Sequence, residues 1–215
     1  MFLKQLDSCI STSWTCNPVK ILFDIWSFQI KALPFAPMDY LSVIERYYPA
    51  DDELRRLLLL HSRQVADRCL EIAKRHRELP VDVQFLEEAA MLHDIGIREC
   101  NAPSICCRGT EPYIRHGLIG GEMLRREGLP RHARVCERHT GTGLTRQQIE
   151  CQQLPLPAED FVPETLEEQI VCYADKFYSK SSPDRVRTVL EAAKSLEKFG
   201  HEGVDKFLAW AKCFE

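Results

Sequence analysis

From Pro49 onward, apolar residues recur along the chain at steps of three and four positions, which is the period of an amphipathic α-helix. In the segment that begins "PADDELRR", the residues that share one face are Leu54, Leu58, His61, Val65, Cys69 and Ile72. Acidic residues at the start of this segment complement the helix dipole. No alternation of apolar and polar residues is long enough to indicate a strand. The pattern therefore predicts an all-α fold.

Further helical segments are marked by their start and stop signals, and they span 82–96, 112–128, 130–139 and 165–180. Asp82 is placed as the N-cap of the first, and Thr165 with Glu168 forms a capping box at the start of the last. Gly117 and Gly121 lie on one face of the second segment. We expect them to bare the helix backbone for close approach by a neighbour or a ligand.

The remaining stretches are a polar, proline-bearing region and an amphipathic end. Residues 145–163 predict a loop, and residues 182–214 predict two helices hinged at Gly200. The residues expected to pack inward from the first of these two helices are Val186, Val189, Leu190, Ala193 and Leu196.

The first 37 residues differ in character, with tryptophans, phenylalanines and scattered prolines. We interpret 1–37 as an N-terminal extension peripheral to a helical domain over 38–215, or as the result of a start codon assigned too early, since Met38 opens the regular pattern. A helix that binds a membrane surface or a partner is the rival reading. Charged residues interrupt the apolar run, so neither a signal peptide nor a membrane span is predicted.

Composition narrows the function further. The chain of 215 residues is long enough for one domain with its own core, and its 28 basic residues are interspersed with 32 acidic ones. The basic residues form no patch of the kind that binds DNA or RNA, so a nucleic-acid polymer is disfavoured as a partner. The ten cysteines form no CxxC pair, which favours reduced thiols and a cytoplasmic protein.

Four of the seven histidines and two aspartates occupy inward-facing or apolar positions: His61, His93, His116, His139, Asp94 and Asp175. Each alone is explained as a hydrogen-bonded core residue. This explanation does not suffice for the whole set, because burial of a carboxylate costs several kcal/mol of folding free energy unless a charge or a metal pairs with it. No lysine or arginine shares these helical faces N-terminal to the acids. Imidazole and carboxylate suit Zn, Mn, Fe or Co, so the set predicts a metal site.

The other three histidines serve as a contrast. His76 lies in a charged segment, His201 follows Gly200, and His132 begins the helix that ends near His139. Surface or capping roles account for them, although His132 is also a candidate to support a ligand from behind.

The order of these residues resembles the HD-domain metal-dependent phosphohydrolase superfamily, over about residues 40 to 180. The motifs are "HDIG" at 93–96, "RHG", "ERHTG" and "YADKF", and "ERHTGTGL" is similar to the uncharacterised prokaryotic HDIG-domain proteins in particular. The resemblance implies an HD-domain-like helical bundle around a central metal site. The basic ligands would be His61, His93, Asp94 and Asp175, while His116 and His139 match the extra histidines of the two-metal branch.

On this resemblance we expect two divalent transition metals bridged by Asp94. A metal-activated water would attack phosphorus, so the expected reaction is hydrolysis of a phosphate ester or anhydride in a small phosphorylated substrate, with nucleotides leading. Arg98 and Lys176 are candidates to bind phosphate oxygens, and Arg115 and Arg138 are weaker ones; surface solvation is the alternative for each.

Two further expectations concern the surroundings of the site. The loop from Glu99 to Glu111 would cover the substrate, with Tyr113 or Tyr173 stacked on a base unless these tyrosines pack in the core.

A diiron oxygenase with the same ligands, and a non-catalytic sensor of metal or nucleotide, remain alternative functions. The identity of the metal, the substrate and the oligomeric state stay open.

Overall fold

The computed structural model describes residues 38–215, and helices make up most of that range. Their bounds are α1 (Tyr40–Tyr47), α2 (Glu53–Arg75), α3 (Val83–Leu92), α4 (His116–Arg126), α5 (Pro130–Arg138), α6 (Arg146–Cys151), α7 (Leu166–Asp175), α8 (Val189–Ser195) and α9 (His201–Phe214). Two short strands, β1 (Asn101–Ala102) and β2 (Cys107–Arg108), pair antiparallel. The all-α prediction is confirmed, whereas the predicted extension 1–37 lies outside the described residues.

Side chains fix the starts of several helices. The Asp82 carboxylate accepts a hydrogen bond from the Phe85 backbone N–H at 3.1 Å, as its predicted capping role requires. The predicted box of Thr165 and Glu168 is also present, with each side chain bonded to the other residue's backbone. The local sequence therefore decides where α3 and α7 begin.

Five helices enclose the centre of the molecule. Helix α2 packs against α3 and α7, and α5 packs against α3, α4 and α7. Fully buried apolar residues from these elements form one core, including Leu58, Leu86, Leu92, Leu124 and Ile170. No helix within residues 38–215 has the length and apolar character needed to cross a membrane.

Glycines allow α4 to lie very close to its neighbours. A Cβ added at Gly117 would lie 2.5 Å from the Cys136 carbonyl oxygen of α5, so the predicted close approach is confirmed. A Cβ at Gly96 would lie 2.2 Å from the carbonyl oxygen of His116. Any larger residue at either position would push α4 away, because non-bonded atoms do not approach so closely.

The structure corrects several expectations about secondary structure. Helix α3 ends at Leu92, before the predicted end at 96. Helix α7 ends at Asp175, before the predicted end at 180. Helix α6 lies inside the predicted loop 145–163, and Thr145 with Gln148 caps its start. This capping box is visible in the sequence, but the six-residue helix that follows is too short to show a period.

The expected inward face of the first C-terminal helix is partly wrong. Val186 is 55% exposed and Leu190 is 76% exposed. Thr188 and Glu191 form a capping box that starts α8 at Val189, so Val186 lies before the helix. The buried residues of this region are Ala192, Ala193 and Leu196, and the predicted break at Gly200 is present.

Candidate metal centre

Six side chains converge at the centre of the bundle, and helix ends supply most of them. They are His61 within α2, His93 and Asp94 directly after α3, His116 at the start of α4, His139 directly after α5, and Asp175 at the end of α7. Because these five helices pack against one another, the ends of four of them and the middle of α2 meet at one place. The structure thus brings together all six residues that the sequence singled out for a metal site.

One half of the centre contains two imidazoles and two carboxylates, and we call it the four-ligand half. The Nε2 atom of His61 lies 3.2 Å from Asp94 Oδ2 and 3.0 Å from Asp175 Oδ1. The Nε2 atom of His93 lies 3.1 Å from Asp94 Oδ2. One atom from each residue therefore lies within a few ångströms of a common point.

The second half, which we call the three-ligand half, shares Asp94 and adds His116 and His139. Their Nε2 atoms lie 3.4 and 3.5 Å from Asp94 Oδ1 and 3.0 Å from each other. Asp94 thus presents Oδ2 to one half and Oδ1 to the other. A carboxylate placed in this way is suited to bridge two ions.

Backbone carbonyls orient three of the imidazoles. The Nδ1 atoms of His93, His116 and His139 lie 2.6, 2.6 and 2.7 Å from the carbonyl oxygen three residues earlier in the chain. Because a carbonyl oxygen only accepts, Nδ1 carries the hydrogen in each ring. In the neutral ring, Nε2 then has a free lone pair directed into the centre, as a metal ligand requires.

The buried polar atoms of the centre fit a divalent metal. The Nε2 atom of His93 and the Oδ1 atom of Asp94 are buried without a hydrogen-bond partner among the described residues, while Asp94 Oδ2 pairs with the Lys180 ammonium group. His93 Nε2 and Asp94 Oδ2 lie 3.1 Å apart but form no hydrogen bond. Ligands whose lone pairs point at a shared ion have this arrangement, and the imidazole and carboxylate donors suit Zn, Mn, Fe or Co.

The charges of the centre favour a bound cation. Burial tends to raise the pKa of Asp94, but Lys180 and His93 outweigh it and hold that pKa well below its usual range. Burial tends to lower the pKa of His93, yet the Asp94 charge raises it to about 9. Burial and the neighbouring His139 lower the pKa of His116 to about 3, so this ring is neutral at pH 7. The two acids therefore demand positive charge, which a metal supplies when it replaces a proton.

Lys180 is a site residue that the sequence analysis missed. Its buried ammonium group pairs with Asp94 Oδ2. On the predicted helix through residue 180, Lys180 would lie about 140° away from Asp175, since successive residues differ by about 100°. Helix α7 instead ends at Asp175, and the irregular segment that follows turns Lys180 back to the centre. A lysine so close in sequence to a candidate ligand is the one signal that could have found it.

The predicted phosphate-binding residues Lys176 and Arg98 differ in their positions. Lys176 lies beside the centre, with Nζ at 2.6 Å from Asp175 Oδ2 and 3.0 Å from the His139 carbonyl oxygen. The Arg98 guanidinium lies 5.4 Å from the centroid of the Tyr48 ring and pairs with Glu99, and Arg98 does not line the cavity described below. The geometry gives Arg98 no support as a phosphate ligand.

The two weaker candidates are bound to other parts of the chain. Arg115 pairs with Glu111 and donates to the Pro155 carbonyl oxygen. Arg138 donates to the Val162 carbonyl oxygen at 2.8 Å and pairs with Glu164. Both arginines tie down loops in this structure.

A cavity of about 640 Å³ adjoins the centre. Its walls include the ligands His116, His139 and Asp175. Apolar walls come from Ile105, Tyr113, Ile114, Leu196 and Phe199, and cationic groups from Lys176, Lys180, Arg187 and Lys198. This volume lies in the usual range for a site that binds a small molecule.

The tyrosines and the loop before α4 have different relations to this cavity. Ala102, Ser104 and Ile105 of the loop from Glu99 to Glu111 line it. Tyr113 also lines it and stacks on the His116 ring at 4.7 Å between centroids. Tyr173 is fully buried against Phe177 and other aromatic rings, so it cannot stack on a substrate, and its alternative interpretation as a core residue is correct.

The remaining histidines lie away from the six. His132 is buried, packs against Phe85 and lies 3.4 Å from the Glu88 carboxylate, so its expected surface role is wrong. His76 follows the last residue of α2, and His201 begins α9. Neither of these two joins the centre.

The chain is similar to one protein family and to several individual proteins. The family model described as the HD domain matches residues 58–179, more than half of the chain. An uncharacterised protein of Methanocaldococcus jannaschii is 36% identical over 126 residues, which cover 54% of this chain and 67% of that protein.

Two other relatives are named tRNA (cytidine(56)-2'-O)-methyltransferase. The protein of Picrophilus torridus is 34% identical over 152 residues, which cover 66% of this chain and 40% of the relative. The protein of Thermoplasma volcanium is 32% identical over 135 residues, which cover 62% and 35%. The chain thus spans less than half the length of these two relatives.

Among solved structures, the HD domain of the L. monocytogenes phosphodiesterase PgpH aligns with a TM-score of 0.46 and 15% sequence identity. The alignment covers 81% of this chain and 97% of that one. A likeness of this degree carries no conclusion about activity.

Proposed function

The chain belongs to the HD-domain family, and we propose that it is a metal-dependent phosphohydrolase that cleaves a phosphate ester or anhydride of a small molecule. The observation that carries this proposal is the position of Asp94, which has one carboxylate oxygen at each half of the centre. We assign both halves to divalent transition metals. The six ligands would be His61, His93, Asp94, His116, His139 and Asp175.

The chemistry of this centre suits phosphoryl transfer to water. Divalent ions held there would lower the pKa of a water from about 15.7 toward about 7 and would bind phosphoryl oxygens. In the neutral form of three imidazoles, the Nδ1 bonds to carbonyl oxygens place the hydrogen on Nδ1 and leave the Nε2 lone pair available to a metal. The ammonium groups of Lys176 and Lys180 supply positive charge where the cavity meets the centre, and a phosphate entering the cavity would be attracted there.

The cavity supports a nucleotide as the leading substrate. Tyr113 offers an aromatic face at its wall, and Ile114 and Phe199 add apolar surface for a base or sugar. The cationic groups lie on the same cavity, so a molecule with an organic part and a phosphate matches both kinds of surface. Free cysteines support a reducing compartment such as the cytoplasm: Cys69, Cys100, Cys106, Cys107, Cys136, Cys151, Cys172 and Cys213.

The test is a metal analysis followed by a substrate panel. The full chain, purified without added metal, is analysed for bound ions and then assayed for phosphate release from nucleoside mono-, di- and triphosphates with Mn²⁺ or Fe²⁺. We expect hydrolysis that chelation abolishes and that added metal restores. Equal turnover with and without metal would overturn the proposal. Saturable nucleotide binding without turnover would favour a sensor, and O₂ uptake by the iron-loaded protein would favour an oxygenase.

The named methyltransferases make tRNA the main rival partner. Their match to this chain covers 40% and 35% of their length, so most of each relative lies outside the matched segment. An arm of the panel with tRNA, with and without a methyl donor, therefore belongs in the experiment. Methylated tRNA, or hydrolysis of tRNA faster than of any small nucleotide, would replace the proposed substrate class.

A further inference from the structure

The cavity has more positive charge than the acids beside it neutralise. Of its cationic groups, Lys176 pairs with Asp175 and Lys180 pairs with Asp94. Arg187 and Lys198 also line the cavity, yet neither forms a salt bridge with an acidic residue in the part of the chain that the structure describes. A ligand that fits this cavity is therefore anionic beyond the charge that the centre itself requires.

Arg187 is held at the cavity wall by the chain around it. Its backbone N–H donates to the Phe177 carbonyl oxygen at 2.8 Å, and its Nη1 donates to the Lys176 carbonyl oxygen at 3.0 Å. These two bonds tie the end of the segment after α7 to its beginning. A guanidinium has five N–H donors, and this carbonyl is its one partner among the described residues. Donors in a fixed position thus remain for a ligand.

Lys176 contacts both Arg187 and the metal centre. Its carbonyl oxygen accepts from Arg187, and its Nζ lies 2.6 Å from Asp175 Oδ2. Arg187 is therefore next to the centre without being part of it. Lys176 and Lys180 would bind one phosphate at the metal centre. The Arg187 guanidinium is therefore available to bind a different group of the same molecule.

We propose that the substrate carries a second anionic group beyond the phosphate at the metal centre, and that Arg187 binds this second group. The inference rests on the proposed function and narrows its substrate class to small phosphorylated compounds with two anionic groups, as in a nucleoside polyphosphate. Lys198 is exposed on the cavity rim and contributes less, because water screens its charge. A planar guanidinium recognises phosphate and carboxylate alike.

Titration calorimetry with three probes tests this inference and identifies the second group. Orthophosphate carries one anionic group, pyrophosphate carries two phosphates, and phosphonoacetate carries a phosphonate and a carboxylate. The Arg187→Gln variant should lose about tenfold in affinity for pyrophosphate, the size of one charged hydrogen bond, and stay within about twofold for orthophosphate. A similar loss with phosphonoacetate would mean that a carboxylate suffices, whereas a loss with pyrophosphate alone would mean a second phosphate.

Arg185→Gln is the matched control, because Arg185 lies two residues away, is exposed and pairs with Glu191 outside the cavity. It should bind all three probes as the natural protein does. Equal losses for one-group and two-group anions in Arg187→Gln, or equal effects of the two variants, would overturn the inference, as would the absence of any preference for two-group anions.

Binding is measured with chelator-treated and with Mn²⁺-loaded protein, so that the two proposals fail separately. Binding that depends on Arg187 without metal-dependent hydrolysis would leave this inference standing and end the proposed function. Metal-dependent hydrolysis with no dependence of binding on Arg187 would leave the proposed function standing and overturn this inference.

Discussion

The two halves of the centre share Asp94 but differ in charge and in access. The four-ligand half has two carboxylates and two imidazoles, whereas the three-ligand half has two imidazoles and only the shared carboxylate. His61 and His93 are absent from the cavity wall, while His116 and His139 line it. The four-ligand half thus reaches the cavity through Asp175 alone, whereas the three-ligand half presents both of its imidazoles to the space where a substrate would bind.

This difference separates holding a metal from meeting a substrate. A second carboxylate strengthens the attraction for a divalent ion, so the four-ligand half should hold its metal more tightly. Neutral imidazoles leave more positive charge on an ion in the three-ligand half, where phosphoryl oxygens arrive. The predictions below test this comparison, beginning with the residue that both halves share.

Removing the shared charge should have the largest effect. In Asp94→Asn the side chain keeps its shape but loses its negative charge, so we expect metal content to fall in both halves together. Activity should fall by about a thousandfold or more, because the proposed metals would account for several kcal/mol of transition-state stabilisation. Metal analysis and phosphate release on the same preparation measure both effects. Asp94→Asn protein with full metal content would show that Asp94 is not a bridge.

Removing one imidazole from each half should have unequal effects. His93→Ala removes a ligand of the four-ligand half and should release metal from both halves, since the three-ligand half with its one shared carboxylate would hold an ion only weakly. His116→Ala should lose about one metal equivalent and keep the other. Metal analysis after extensive dialysis distinguishes the two variants.

His132→Ala is the control for this pair, because His132 is a buried histidine outside the centre that packs against Phe85. It should keep its metal and lose about 1–3 kcal/mol of stability in denaturant unfolding, since the Phe85 ring loses a buried contact. Loss of the same amount of metal from His93→Ala and His116→Ala would show that the halves do not differ.

The ligands of both halves were predictable because each lies at an inward or helix-terminal position of a regular helix. His61 shares the apolar face of α2, and His93 and Asp94 end the apolar run of α3. Periodicity and caps are local properties, so the sequence displays them directly. The order of the six residues carried the family resemblance, and the family match supports it.

Periodicity misses what irregular segments do. Lys180 reaches Asp94 only because α7 stops at Asp175, and no pattern in the chain shows that stop. For Tyr173 the sequence left open whether it contacts a substrate or packs in the core, and it belongs to an aromatic cluster formed with α9, far away in sequence. Such positions depend on which distant elements pack together, and a single sequence does not reveal those contacts.

The two lysines beside the acids should differ in their effect on substrate binding. Lys180 pairs with Asp94, and a metal on Asp94 would release its ammonium group for the substrate phosphate. Lys176 stays bound to the His139 carbonyl oxygen as well as to Asp175. We expect Lys180→Gln to raise KM about tenfold or more, and Lys176→Gln to raise it less. Steady-state kinetics with saturating Mn²⁺ measures the difference.

Metal binding provides a second measurement for the lysines. Lys180→Gln removes a cation that competes for Asp94, so its apparent Mn²⁺ affinity should rise while its substrate affinity falls. If Lys180 only supported the fold, the Lys180→Gln variant would have lower affinity for both Mn²⁺ and substrate. An unchanged KM with stronger metal binding would mean that Lys180 only neutralises Asp94.

The smallest effect is expected for Arg98, whose place after "HDIG" favours phosphate binding while its observed position does not. Its guanidinium lies over the Tyr48 ring and pairs with Glu99, away from the groups that line the cavity. Arg98→Ala should therefore change kcat/KM by less than about threefold, since a group that contacts substrate in neither ground state nor transition state contributes to neither constant. A loss of about tenfold or more, the size of a charged hydrogen bond to phosphate, would mean that Arg98 swings into the cavity when substrate binds.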